Sequence, residues 1–328
     1  MDGTRISVAL CTYNGTRFLS QQLESIAWQT LRPYELVACD DGSSDDTIEI
    51  LRAFARSAAF PVRVFASKTL RLGCTKNFER AIRLCDGNVI SLADHDDIWE
   101  PDKLELLAAA FAKDSTAGYS FSDAEVVDHQ SHAVGKRMWD SVGFTPSKIS
   151  RFAETNQVRL LLRRAVVTGA TMIFRSDLRS IILPLSPYFV HDYWISILSS
   201  CIGRYGVAVP QPLVRYRQHD SQQIGPPESS WTRKIQRART RELAAFKARV
   251  FGYEELIERV HKALQSGCQF PATHLELLSE SLAHCTQRVV AHTEHGAKRW
   301  GKVLPEILTG RYSLYSNSWM SIVEDLCF

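Results

Sequence analysis

The chain has 328 residues, 45% of them hydrophobic and 23% charged, with a net charge of +3. That composition belongs to a globular protein with room for one large domain or two ordinary ones. Bulk charge gives no reason to expect a nucleic-acid binder, and no window approaches the run of about 18 apolar residues that a membrane span needs.

The opening MDGTRISVALC reads as a strand, without the basic region, apolar core and cleavage site of a signal peptide. Ile6 to Cys11 is that strand, and it breaks at Thr12-Tyr13-Asn14-Gly15. Phe18, Leu19, Gln22, Leu23, Ile26 and Ala27 recur at helical spacing, and Pro33 stops the element. Tyr34 to Cys39 is a second apolar strand running into Asp40-Asp41-Gly42-Ser43-Ser44-Asp45, with Ser44 placed as the N-cap of the next helix. Val62 to Ala66 is a third strand, Gly73 to Leu84 a helix, and Val89 to Ala93 a fourth strand. Nearly continuous apolar strands alternating with helices predict an α/β fold whose mostly parallel sheet is covered on both faces. Ligands bind such sheets beyond the carboxyl ends of the strands. Three of those ends carry polar clusters here: Thr12 to Asn14, Asp40-Asp41, and Asp94-His95-Asp96-Asp97.

The last cluster puts three carboxylates in four residues. Their repulsion is offset if they hold a divalent cation through hard oxygen ligands, although a solvated acidic turn capping the following helix would look the same. Neither a dinucleotide-binding glycine fingerprint nor a P-loop is present. The eight cysteines (Cys11, Cys39, Cys74, Cys85, Cys201, Cys268, Cys285 and Cys327) contain no C-x-x-C pair. Reduced, mostly buried thiols and a cytoplasmic setting are expected, rather than disulfides or structural zinc.

The series CTYNG, LESIAWQT, YELVACDDGSSDDT, LGCTKNFERAI and ADHDDIWEPDKL resembles the nucleotide-sugar half of family 2 glycosyltransferases, which have the GT-A fold. The form ADHDDIW is most similar to the bacterial rhamnosyltransferase-like branch, which typically has Gln where this chain has His95. The resemblance covers roughly residues 5 to 220. It implies that Thr12, Tyr13 and Asn14 line the nucleotide pocket and that Asp41 or Asp40 binds the base. Gly73 and Asn77 would border the nucleoside, and Asp94 would face the ribose or a metal-bound water. Asp96 would ligate Mg²⁺ or Mn²⁺, with Asp97 in support, because a departing nucleoside diphosphate accumulates negative charge. His95 either contacts the diphosphate or packs toward solvent.

After Pro101 a helix from Asp102 to Lys113 leads to a strand, Gly118 to Asp123, where Asp123 is either a turn residue or a substrate contact. Residues 129 to 150 read as a long loop. The turn Thr168-Gly169-Ala170 resembles the family's small-residue turn beneath the transferred sugar, where Gly169 permits close approach. Tyr188 to Trp194 resembles its acceptor motif, with Asp192 as the general base of an inverting transfer. Without that resemblance, Asp192 reads as an acid in a helix's first turn, held by backbone N–H groups. Gly206 to Val209 and Leu213 to Tyr216 read as short strands. The following Arg215 to His219 resembles the family's Arg/His segment, with Arg217 available to the diphosphate and His219 as a second metal ligand or a structural residue.

Ser221 to Ser230 is rich in Pro, Gly and Ser and marks a boundary. The expected organisation is a catalytic domain over 1–220 and a helical domain over 221–328. Its helices are placed at Trp231–Phe251, Glu254–Gln265, His274–His292 and Val303–Leu308. The basic run between Arg215 and Val250 reads as a solvated face or as a contact with an anionic membrane. The reading that follows is a metal-dependent inverting glycosyltransferase of surface polysaccharide assembly. It would move a sugar, rhamnose by the subfamily resemblance, from a dTDP- or UDP-sugar to a saccharide acceptor, lipid-linked if the membrane reading holds. A cytoplasmic place at the inner membrane face, a homo-oligomer, and no nucleic-acid partner complete the expectation. The competing readings are a degenerate saccharide-binding scaffold and a nucleotidyltransferase; for the latter, CTYNGTRF is a poor triphosphate loop.

Overall fold

The computed structural model describes residues 3–67, 71–114, 116–154, 157–219 and 243–327. The first part alternates as the periodicity predicts: β1 (Ile6–Thr12), α1 (Leu19–Ala27), β2 (Glu35–Asp40), α2 (Thr47–Ser57), β3 (Val62–Ala66), α3 (Cys74–Leu84) and β4 (Val89–Asp94). A short β5 (Ile98–Trp99) and α4 (Lys103–Lys113) follow. Every residue of β1 and β2 is buried because both faces of the sheet are covered. Ile6, Val8 and Leu10 pack with Leu19 and Leu23 of α1, Leu51 of α2 and Leu104 of α4. Ala9 and Cys11, pointing the other way, pack with Phe78, Ala81 and Ile82 of α3.

Beyond α4 come β6 (Tyr119–Val127), β7 (Ala133–Arg137), α5 (Met138–Ser141), α6 (Pro146–Glu154) and α7 (Gln157–Arg163). Then follow β8 (Met172–Arg175), α8 (Arg179–Ile182), α9 (His191–Cys201) and β9 (Gly206–Arg217). The sheet runs β3-β2-β1-β4-β8-β6-β9-β5, with β7 beside β6. β3, β2, β1 and β4 are parallel, as are β6 and β9. β8 is antiparallel to both its neighbours, and β5 to β9.

Three local expectations are corrected. Residues 129–150 are not one loop: they hold β7, α5 and the start of α6, fixed by the buried side chains of Met138, Trp139 and Phe144. The two strands placed after Gly206 are one strand, β9, with register shifts opposite Asp123. Ser44 does not cap α2, which starts at Thr47 after Asp46; its backbone N–H instead donates to Asn14 Oδ1 at 2.9 Å.

The C-terminal part is helical: α10 (Leu243–Gln265), α11 (Thr273–Thr293), α12 (Gly296–Leu308), α13 (Arg311–Tyr315) and α14 (Trp319–Cys327). α10 runs unbroken where two helices were expected, and α12 is longer than expected. Tyr253, Leu256 and Val260 of α10 share one core with Trp194, Ile197 and Leu198 of α9. Arg288 ties α11 to α14 through Glu324 and Asp325 at 2.8 and 2.7 Å. The boundary at Ser221–Ser230 and the basic residues from Arg233 to Arg241 lie outside the described residues. Cys11, Cys39, Cys74, Cys85, Cys201, Cys268 and Cys285 are free, and no described helix is long and apolar enough to cross a membrane.

Candidate active site

The register of the parallel strands assembles the site. Thr12 is paired with Asp40 across β1 and β2, and Cys11 with Asp94 across β1 and β4, so three carboxyl ends arrive at one edge. β8 runs against β4, with Ser91 opposite Ile173, so the turn preceding β8 reaches the same edge. A cavity of about 530 Å³ opens there. Its wall includes Thr12, Tyr13, Asn14, Asp41, Asn77, Asp94, His95, Asp96, Gly169, Asp192 and His219. Asp40, Gly73 and Arg217 are not part of that wall.

On the β1–β3 side the residues hold one another. Asp40 accepts the Thr12 hydroxyl at 2.8 Å and the N–H groups of Gly42 and Ser43 at 3.0 and 2.9 Å, so it shapes the turn from behind the wall. Asp41 reaches the wall and accepts the N–H groups of Leu72 and Gly73 at 2.6 and 2.8 Å, drawing that segment over the cavity. Asn77 donates to the Cys39 carbonyl at 2.7 Å, while its Oδ1 is buried and has no partner. The Arg71 guanidinium lies 3.8 Å from the centre of the Tyr13 ring.

The acidic turn after β4 divides into different environments. Asp94 opens partly to the cavity but is deeply enclosed. Burial, reinforced by the charges of Asp96 and Asp192, pushes its carboxyl up to about 8. Asp96 goes the other way: burial opposes ionisation, but a hydrogen bond from His219 and the charges of His95 and His219 hold its carboxyl below the usual range. The His219 Nε2 to Asp96 Oδ2 distance is 2.9 Å. Asp97 is 1% exposed; burial and the charges of Asp96 and Asp94 raise its pKa. His95 lines the cavity beside Gly15.

Arg217 does not stand free to meet a diphosphate. Its Nε donates to the Asp96 carbonyl at 2.7 Å, Nη1 to Ser131 Oγ at 2.8 Å and Nη2 to Gln21 Oε1 at 2.7 Å. Its backbone N–H reaches Asp97 Oδ1 at 3.0 Å. The residue is a buried strut for the acidic turn. Asp123 is likewise a packing group, accepting the N–H groups of Ala124 and Trp139 at 2.8 and 3.0 Å.

Asp192 sits in the first turn of α9. One oxygen accepts the Gly169 N–H at 2.9 Å and the other its neighbour Tyr193 N–H at 2.6 Å, which fixes the carboxylate and leaves it lone pairs for a further donor. His191 stacks on Phe78 with ring centroids 4.1 Å apart, and neither ring nitrogen has a partner. A Cβ at residue 169 would stand 2.8 Å from His191 Nε2, so this position takes glycine.

Sequence reading passed over Arg17, Arg71 and Tyr216 in the cavity wall and Lys103 beneath the acidic turn. Lys103 carried a usable signal: it shares a helix face with Leu104, Leu107 and Phe111, where a lysine must be buried. Among the described residues no group of three or more His, Cys, Asp or Glu is arranged to hold a metal ion alone. Asp96 and His219, with Asp94 near, nevertheless suit a Mg²⁺ or Mn²⁺ ion that takes its other ligands from phosphates and water.

Comparison with known proteins bears on this arrangement. The profile of glycosyl transferase family 2 matches residues 7–181. The chain is 33% identical to Escherichia coli chondroitin synthase over 130 residues, 39% of this chain but only 18% of the synthase. It is 28% identical over 202 residues to the E. coli enzyme named UDP-Glc:alpha-D-GlcNAc-diphosphoundecaprenol beta-1,3-glucosyltransferase WfgD, covering 60% of this chain and 71% of that one. Among solved structures, S. aureus TarS in complex with UDP-GlcNAc superposes with a TM-score of 0.59 at 14% identity, over 86% of this chain and 72% of that one. The mannosyltransferase PcManGT of Pyrobaculum calidifontis, in complex with GDP-Man and Mn²⁺, superposes at 0.51 and 16% identity, over 98% and 86%. The fold is GT-A.

Proposed function

The chain belongs to glycosyl transferase family 2 and is a glycosyltransferase, and we propose that it transfers a sugar with inversion from a uridine or thymidine diphosphate donor to a saccharide acceptor. The observation that carries this reading is the convergence of Asp94, Asp96 and Asp192 on one cavity at the carboxyl edge of the sheet. Tyr13, Asp41 and Asn77 form the nucleoside side. Asp96 and His219, with Asp94, would hold a divalent cation, which would offset the negative charge of the departing diphosphate. Asp192 takes the proton of the acceptor hydroxyl as that oxygen attacks C1 from the face opposite the leaving group. The Gly169 N–H keeps the base aimed, and the missing Cβ makes room for the sugar.

The E. coli glucosyltransferase is named for an acceptor GlcNAc on diphosphoundecaprenol, which supports a lipid-linked acceptor here; assembly of a bacterial surface polysaccharide, with the enzyme at the inner face of the membrane, is the proposal built on it. Rhamnose is the finer proposal for the donor sugar, from the ADHDDIW form of the acidic turn. Residues 1–220 would be the catalytic unit and 221–328 a helical extension. A screen of nucleotide sugars by nucleoside diphosphate release tests the reading. If Asp96→Ala and Asp192→Asn each kept near-wild-type transfer, these roles would be wrong. A saccharide-binding scaffold would instead show no metal-dependent binding of uridine or thymidine diphosphate by calorimetry.

A further inference from the structure

Three cations gather where the acceptor half of the cavity begins. Lys148 belongs to α6, Arg163 ends α7 and Arg164 follows it; all three are half-buried. Gly143, in the left-handed region at φ +64°, lets two of them meet: a Cβ there would lie 2.7 Å from Arg164 Nη1 and 3.8 Å from Lys148 Nζ. The contacts they make are neutral. Lys148 donates to the Gly143 carbonyl at 2.5 Å, Arg164 Nη1 to the Val142 carbonyl at 2.9 Å and Arg163 Nη2 to Ser318 Oγ at 3.0 Å. Among the described residues none of the three pairs with a carboxylate. Arg163 Nε and Arg164 Nε are buried without any acceptor. By contrast Arg63 is compensated by Glu35, and Arg288 by Glu324 and Asp325.

Clustered like charges with orphaned donors cost stability unless an anion joins them. The cluster also adjoins the cavity. Val142, whose carbonyl Arg164 holds, and Ala165, the next residue, both line it, and the wall continues through Val167 and Thr168 to Gly169 and Asp192. The cation-holding side of the cavity is acidic, at Asp94 and Asp96, and this basic cluster is separate from it. We propose that Lys148, Arg163 and Arg164 bind the phosphoryl groups of a phosphorylated acceptor, placing the sugar next to them against Asp192. This deepens the transferase reading above and rests on it for the identity of the acceptor end.

The probe is geranyl diphosphate, titrated calorimetrically into the full chain saturated with Mg²⁺ and UDP, so that the donor site is occupied. Geraniol serves as the phosphate-free control. Wild type should bind the diphosphate well above geraniol, and Lys148→Gln and Arg164→Gln should each weaken it about tenfold, one charge-assisted contact apiece. Arg164→Lys should retain most of the affinity, which separates charge from loss of the Val142 contact, and circular dichroism checks each fold. Equal affinity of wild type and both glutamine variants, or no preference over geraniol, overturns the proposal. So does the finding that the variants lose binding only to phosphatidylglycerol vesicles, since the cluster would then read a headgroup. UDP affinity is measured separately: its absence in wild type would sink the transferase reading, while diphosphate binding lost in the variants would still stand for the anion site.

Discussion

Replacing Gly169 by alanine tests the geometry that joins the base to the sugar-binding turn. The new Cβ would lie 2.8 Å from His191 Nε2 and 3.7 Å from Asp192 Cβ. Ordinary contact begins near 3.4 Å, so the imidazole or the turn must yield about 0.6 Å (3.4 − 2.8). His191 has little room, being 5% exposed and stacked on Phe78. The displacement therefore passes to the Gly169 N–H that holds Asp192. Overpacking of this kind costs about 1–3 kcal/mol of stability. A catalytic group misplaced by about 1 Å costs about a hundredfold in rate, so a fall in kcat of about ten- to a hundredfold is expected, with donor KM little changed. Steady-state transfer kinetics and thermal denaturation read both effects. The coupling is the sharper test: in a His191→Ala background, where nothing opposes the new methyl, Gly169→Ala should lower kcat no further. An undiminished kcat in the single variant, or an equal loss in both backgrounds, would refute the argument.

Asp192→Asn should keep donor KM within about threefold and lower kcat by about 10²–10⁴, the range of a lost general base; loss of donor binding instead would assign Asp192 to the donor site. Lys103→Met should destabilise the fold by removing the buried amine whose charge favours the ionised forms of Asp97 and Asp94. Adding Asp97→Asn should recover much of that in chemical denaturation, and additive losses would show the two are independent. The metal-free enzyme should lose stability as pH rises. The folded pKa of Asp94, about 8, lies above its usual 3.8, so its contribution is full below the lower value and gone above the upper one. The melting temperature in EDTA should decline from about pH 4 to 8, less so with Mg²⁺ and UDP or in Asp94→Asn. The same slope in that variant would exclude Asp94 as its source.

The sheet was legible because the same physics wrote both pattern and structure. Buried parallel strands leave continuous apolar runs, and the carboxyl ends of β1, β2 and β4 announce themselves by where those runs stop. Residues 129–150 were not legible, because their order comes from the aromatic contacts of Trp139 and Phe144 with Phe121, made across the sequence. Which polar residues face the cavity was only half visible. Thr12 and Asp40 are paired strand ends, and Asp40 and Asp41 are neighbours, yet Asp40 is drawn into its own turn while Asp41 reaches the wall. Arg217 has the right chemistry for a phosphate, but nothing local reveals that Asp96, Ser131 and Gln21 would occupy its donors.

The acidic turn shows why charge alone overstates a metal site. Three carboxylates in four residues suggest that only a divalent ion can offset their repulsion, but the fold compensates part of it from within. Lys103 is fully buried beneath the turn, its amine 3.2 Å from the centre of the Trp99 ring and 3.5 Å from Ser91 Oγ. Burial drives Lys103 and Asp97 toward their uncharged forms, and their mutual attraction opposes it. Whether the proton rests on the amine or the carboxyl, the pair sums to zero. Asp97 is thereby removed from the charge the cavity sees. What remains at the wall is Asp94, whose buried carboxyl would give up its proton on binding a divalent cation, and Asp96, to which His219 is already bonded. The helix that begins at Lys103 does more than follow the motif: it neutralises the third carboxylate and leaves the other two to face the ligand.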